Sequence, residues 1–163
     1  MQPIAGYNYG ARQYGRVKEV FWRTAAMGTA MTTICFIIGV FIPELAVGIF
    51  THDEELVALS AKALRILTIA FPIVGFQMIA TNFFQSLGMV KKSIILSLSR
   101  QILFLLPLLY ALPLMLDADG VWISYPISDT LATILTIFML GRLFKKFNRL
   151  NDGDDPGILG SNL

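Results

Sequence analysis

Cysteine and histidine are almost absent from this sequence: Cys35 and His52 are the only examples in 163 residues. One cysteine excludes an intrachain disulfide and a cysteine metal cluster. One histidine leaves a metalloenzyme or a Ser-His-Asp hydrolase poorly supported. No nucleophile–base pair or phosphate-binding loop appears either, so an enzyme is the weakest reading. Charge is also scarce. Charged residues make up 15% of the chain, where a soluble domain carries about a quarter. The formal net charge of +2 is too small to suggest a nucleic-acid partner. The first residues lack the basic, apolar and small-residue pattern of a secretory signal, and no low-complexity tract or clear repeat is visible.

What the chain has instead is apolar length. Hydrophobic residues account for 55%, and they are concentrated in four runs. These cover about 24–43, 68–87, 93–116 and 121–140, each near the 20 or so residues that a membrane-crossing helix needs. Pro43, Gly88, Gly120 and Gly141 stand at or beside the run ends, where helix breakers are expected. The fold class that follows is an all-α integral membrane protein with four transmembrane helices. Residues 1–19 form a connecting segment, 20–147 the four-helix unit, and the acidic, Gly-rich 148–163 a disordered tail. Residues Glu54 to Leu67 have apolar positions at helical spacing, and are expected to form an interfacial or protruding start of the second helix.

Charge alternates between the connections. Arg12, Arg16, Lys18 and Arg23 precede the first run, and Glu44, His52, Asp53, Glu54 and Glu55 follow it. Lys91 and Lys92 precede the third, Asp117 and Asp119 follow it, and Arg142, Lys145, Lys146 and Arg149 follow the fourth. Basic connections mark the cytoplasmic side, so both ends are expected in the cytoplasm of a plasma membrane. The lipid bilayer is then the first partner. His52, in the acidic loop, is expected to be solvated.

Polar residues inside the runs are the candidate site. Asp129 lies near the middle of the fourth, where an acid costs about 2.5–3.5 kcal/mol on insertion scales. Helical spacing puts it on one face with Tyr125, Ala132, Thr133 and Thr136. Pro126 removes a donor from the Trp122 carbonyl and predicts a kink. Two readings of Asp129 stand: a proton or cation relay that can also contact a cationic substrate, or a hydrogen-bonded acid that joins helices. No partner for it is legible. The second run carries Gln77, Thr81 and Gln85 at four-residue spacing, with Asn82 beside them. This stripe suits either substrate contact in a water-filled cleft or helix–helix hydrogen bonds. Phe71, Phe76, Met78, Phe83 and Phe84 around it suit an apolar pocket, core or lipid. Pro72, Pro107 and Pro113 suit broken transporter helices or static kinks. Arg100 is expected to snorkel to the cytoplasmic face. Gly28, Thr32, Cys35 and Gly39 form a small-residue face for close helix contact.

The opening QPIAGYNYGA and its basic continuation resemble the second-half signature of multidrug and toxic compound extrusion (MATE) transporters, most nearly the MepA-like branch. GVWISYPISD resembles that branch's last helix. FQSLG, the basic residues after it and SRQ are similar to its tenth and eleventh helices. The resemblance covers about residues 1–147. It implies a twelve-helix fold in two lobes, of which the four runs here are helices nine to twelve. Met1 then reads as internal to a longer protein, whose missing N-terminal part would be a partner. The implied function is export of cationic or amphipathic small-molecule xenobiotics from a bacterium, driven by Na⁺ or H⁺, with no other cofactor. An acid that some members carry in the tenth helix is missing here. Two other readings remain, a lipid-linked-oligosaccharide flippase of the same superfamily and a stand-alone four-span scaffold or regulator.

Overall fold

The computed structural model describes residues 1–155. The rest of the tail expected to be disordered, residues 156–163, lies outside the described residues. Among the described residues all regular structure is helical. Helix α1 (Gln2–Gly10) leads to α2 (Tyr14–Phe41), followed by α3 (Pro43–Gly48), α4 (Glu54–Thr68) and α5 (Phe71–Ser86). Helix α6 (Val90–Leu98) continues into a π-helical stretch (Ser99–Leu105) and α7 (Leu106–Ala111), and α8 (Pro113–Phe147) completes the bundle.

Three helical stretches are long and apolar enough to cross a membrane: 14–41, 90–111 and 113–147. The pair α4–α5, bent by 52°, is apolar and long enough to make a fourth crossing when taken as one span. Asp53 starts this pair: its Oδ1 accepts from the Glu55 and Leu56 amides at 3.0 and 3.2 Å. Glu54 and Glu55 sit in the first turn and Arg65 in the last, as the helix dipole favours. The bend follows from Pro72 in the first turn of α5, which cannot donate to the carbonyl four residues back.

The last span has no break at Pro126, where a kink is expected; the chain turns before it, in the connection expected between the third and fourth runs. Helical dihedrals continue through Pro126, and the one departure in α8 is Asp117, at φ 50° and ψ −135°. Here the chain reverses tightly. A Cβ on Gly120 would lie 2.5 Å from the Leu112 carbonyl carbon and oxygen. A residue without a side chain at 120 lets the two helices close, and the strained positive-φ conformation falls on Asp117.

The tightest helix contact joins α2 and α5. A Cβ on Gly75 would overlap the Thr32 side chain and lie 3.1 Å from the Gly28 carbonyl oxygen, and a Cβ on Gly28 would overlap Ile79. Gly39 packs in the same way on Thr68 of α4. Cys35 departs from this face: it is exposed and lines a lateral groove with Ile38 and Phe50.

The densest core lies at the basic end of the bundle. Tyr14, Val17, Phe21, Phe83, Phe84, Leu96, Leu143 and Phe147 are all buried there. The Phe21 ring lies 4.8 Å from Phe83 and 5.3 Å from Phe144, and Tyr14 lies 5.2 Å from Phe147. The segment after α8, far from being loose, folds back as far as Asp155. Arg12 donates to the Gly153 carbonyl at 3.2 Å and to Asp155 Oδ2 at 3.0 Å, and its own carbonyl accepts from the Gly153 amide at 3.0 Å. Tyr14 donates to the Asp154 carbonyl at 2.9 Å. Burial and then the Asp155 carboxylate push the neighbouring Tyr9 hydroxyl above its ordinary value. Acidic tail and basic connection therefore satisfy one another, a relation that composition alone does not reveal. At the opposite end Lys62 pairs with Asp119 at 2.6 Å and Arg65 with Glu44 at 3.2 Å.

Candidate functional site

Asp129 has a partner, and it is Arg100. Arg100 Nε donates to Asp129 Oδ1 at 2.6 Å. The acid is buried, its side chain 8% exposed, and the arginine is 34% exposed. Arg100 therefore does not simply snorkel to the membrane surface as its place in the sequence suggests. Pairing offsets the desolvation of both groups, which neither could meet alone in an apolar slab.

The π-helical stretch supplies the geometry. Arg100 lies within it, where the wider turn disturbs the regular carbonyl pairing. The Arg100 carbonyl accepts from Ser128 Oγ at 2.9 Å. Side chain and backbone of one residue thus both bind α8, at neighbouring positions 128 and 129. Pro107, which opens α7, lacks the N–H that would continue regular helical pairing.

The face of α8 that turns inward holds Ser124, Ser128, Asp129, Ala132, Thr133 and Thr136, all buried. Ser124, Thr133 and Thr136 each donate to the carbonyl four residues back, at 2.7 to 2.8 Å, so their hydroxyls cost little. Tyr125 is at the margin, 38% exposed, and is not part of the buried face.

Beside the ion pair is a cleft of about 260 Å³, lined by Gln77, Met78, Thr81 and Asn82 of α5 and by Ser97, Arg100 and Gln101 of the facing span. Three of the four polar residues singled out on α5 thus share one wall. Gln85 is exposed and does not line it. Thr81 donates to the Gln77 carbonyl at 3.0 Å. Gln77 is 3% exposed, and its Oε1 is the one buried side-chain polar atom without a hydrogen-bond partner among the described residues. Phe83 and Phe84 belong to the core, and Phe71 lines the groove beside Cys35, so the aromatics of α5 do not form one pocket.

Sequence reasoning placed Arg100 as an anchor and passed over Ser97, Gln101 and Ser128. A usable signal was present: an acid and a base, each inside its own span, on consecutive antiparallel helices. Ionisable residues at such depth are expected to pair with one another. No group of three or more His, Cys, Asp or Glu that could hold a metal occurs among the described residues.

Comparison with known proteins agrees with this architecture. Residues 1–111 match the family model MatE. The chain is 23% identical over 141 residues to the multidrug export protein MepA of Staphylococcus aureus strain MSSA476, an alignment that covers 85% of this chain and 31% of that protein. The MATE multidrug transporter DinF-BH, a solved structure, superposes with a TM-score of 0.81 at 42% identity, over 87% of this chain and 32% of that one. An inward-facing multidrug resistance MATE family transporter of the MOP superfamily superposes at 0.78 and 24% identity, over 92% and 35%, which speaks for the fold alone. The chain spans about a third of the length of each. With a family model matched over more than half of its residues, the chain belongs to the MatE family.

Proposed function

We propose that this chain supplies the last four helices of the second lobe of a cation-coupled multidrug exporter. One observation carries the reading: a charge-compensated pair, Arg100–Asp129, stands beside a polar cleft inside otherwise apolar spans. Ionisable groups at that depth are expensive and are usually kept for ion or substrate pathways. The alternating charge of the connections favours an orientation with both ends in the cytoplasm of a bacterial plasma membrane. Gln77, Thr81 and Asn82 form a substrate wall for small amphipathic xenobiotics. Gln85 and Tyr125 face the rest of the transporter. A proton or sodium ion taken up at Asp129 competes with Arg100 for the carboxylate, and so loosens the tie between α8 and the preceding span. That is the kind of differential contact that alternating access requires.

The remainder of the exporter is the obligatory partner. Reconstituted alone in liposomes under an imposed sodium or proton gradient, the chain is expected to give no gradient-driven movement of ethidium. Joined to the other helices of its transporter it is expected to give clear movement. Asp129→Asn in that longer protein is expected to change the dependence of transport on pH or sodium. An unchanged dependence would show that Asp129 only holds helices together.

A further inference from the structure

The cleft carries a charge opposite to the one an exporter of cations would need. Arg100 is the only charged side chain that lines it, and Asp129 stands behind the arginine. Arg100 binds Asp129 through Nε alone. Among the described residues, the two Nη atoms at the end of the guanidinium make no hydrogen bond. A guanidinium offers five N–H donors in a planar fork, and its Nη1–Nη2 edge fits the two oxygens of a carboxylate.

From this geometry we infer that the cleft binds the carboxylate of a zwitterionic amphipathic small molecule, with Arg100 as its receptor and Asp129 as the residue that positions Arg100. The inference rests on the transporter reading above and names the substrate class for that site. Charge balance selects a zwitterion. Arg100 and Asp129 together are neutral, so a simple anion would leave one uncompensated negative charge in a low-dielectric site. A zwitterion brings its own cation, which the amide oxygens of Asn82 and Gln101 can face. Gln77 Oε1, without a partner, can take an N–H donor of the ligand after rotation about the soft amide torsion.

A lipid head group presents similar oxyanion chemistry but lies at the wrong depth. Arg100 is seven residues beyond Ser93, where the apolar run of its span begins after Lys91 and Lys92. At 1.5 Å per residue this is about 10 Å, a third of the way into the roughly 30 Å hydrocarbon core. Head-group phosphates sit outside that core.

The test is a binding measurement on the chain in phosphatidylcholine nanodiscs. The probes are a xanthene dye with a free carboxylate and its methyl ester, which is a simple cation, and the readout is fluorescence polarisation. The acid is expected to bind roughly tenfold more tightly than the ester, as a charge-assisted bidentate contact predicts. Arg100→Gln in an Asp129→Asn background, which leaves no unpaired charge, is expected to bring the two dyes to equal affinity. Arg100→Lys keeps part of the preference. Gln77→Leu weakens both dyes alike. Circular dichroism checks that each variant keeps its helices, and the unsubstituted chain alone decides the main question. Equal binding of acid and ester, or a preference that survives loss of Arg100, overturns the proposal. Adding phosphatidylglycerol to the discs is expected to leave the preference in place, and its loss would assign the site to lipid instead. A dye preference without transport by the longer protein would sink the exporter reading and leave this site standing. Transport without the preference would do the reverse.

Discussion

The basic end of the bundle and its middle are held together by opposite means. At the basic end the rings of Phe21, Phe83, Phe144, Tyr14 and Phe147 pack against one another. At mid-depth one ion pair and one hydroxyl tie the π-helical stretch to α8. The apolar end gains from dense dispersion contacts that cannot rearrange cheaply. The middle depends on a pair whose attraction another charge can compete away.

This contrast can be broken from either side. Phe83→Ala and Asp129→Ala are expected to destabilise the chain by similar amounts, about 3–5 kcal/mol each, read from SDS titration of micellar protein by circular dichroism. The causes differ: a cavity in one, a buried unpaired arginine in the other. The double change Arg100→Met with Asp129→Leu separates them. It is expected to recover most or all of the stability lost in Asp129→Ala, since replacing a buried pair by apolar groups is often neutral or better. If it does not, the pair contributes more than its desolvation costs, and the middle is held as firmly as the aromatic end. Gly75→Val should cost less, about 1–3 kcal/mol through overpacking against Thr32, with looser α2–α5 contact visible as faster cross-linking of cysteines placed across that face. Arg12→Gln should cost least, below about 1 kcal/mol, because its pair with Asp155 is half exposed and screened by solvent. Its effect should fade as salt is raised, whereas that of Asp129→Ala should not.

Much of the fold could be read directly from the residues. Thr24, Thr68, Ser93 and Val121 each fall inside a helix that crosses the membrane or joins one. The small residues Gly28, Thr32 and Gly39 sit where two helices meet closely. Element ends were harder. Helix α2 begins at Tyr14, ten residues before the apolar run, because its first turns bury Tyr14 and Val17 while Arg16 and Glu19 stay exposed, and mean hydropathy does not register so narrow a buried face. Pro126 was misleading because a proline interrupts hydrogen bonding without having to bend a helix that neighbours support. The reversal at Asp117 falls in the short acidic connection that Asp117, Asp119 and Gly120 mark in the sequence, and only its tightness was hidden. Of the site, Asp129, Gln77, Thr81 and Asn82 were visible as polar residues out of place. Tyr125 and Gln85 satisfied the same spacing, but they face outward.

By itself the sequence determined that this is an all-helical membrane protein, where its apolar runs lie, which connections share a sign of charge, and which family its opening segment resembles. These follow from local quantities: apolar length, the charges beside it, and a short contiguous motif. Only the tertiary structure decided that Arg100 meets Asp129, that the cleft beside them is lined by a base and not an acid, and that the tail as far as Asp155 folds onto Arg12 and Tyr14. The ion pair joins residues 29 positions apart and the tail contact residues 143 apart. Which charge finds which partner depends on how helices face one another, and the packing of Gly75 on Thr32 and of Gly120 on Leu112 sets that facing.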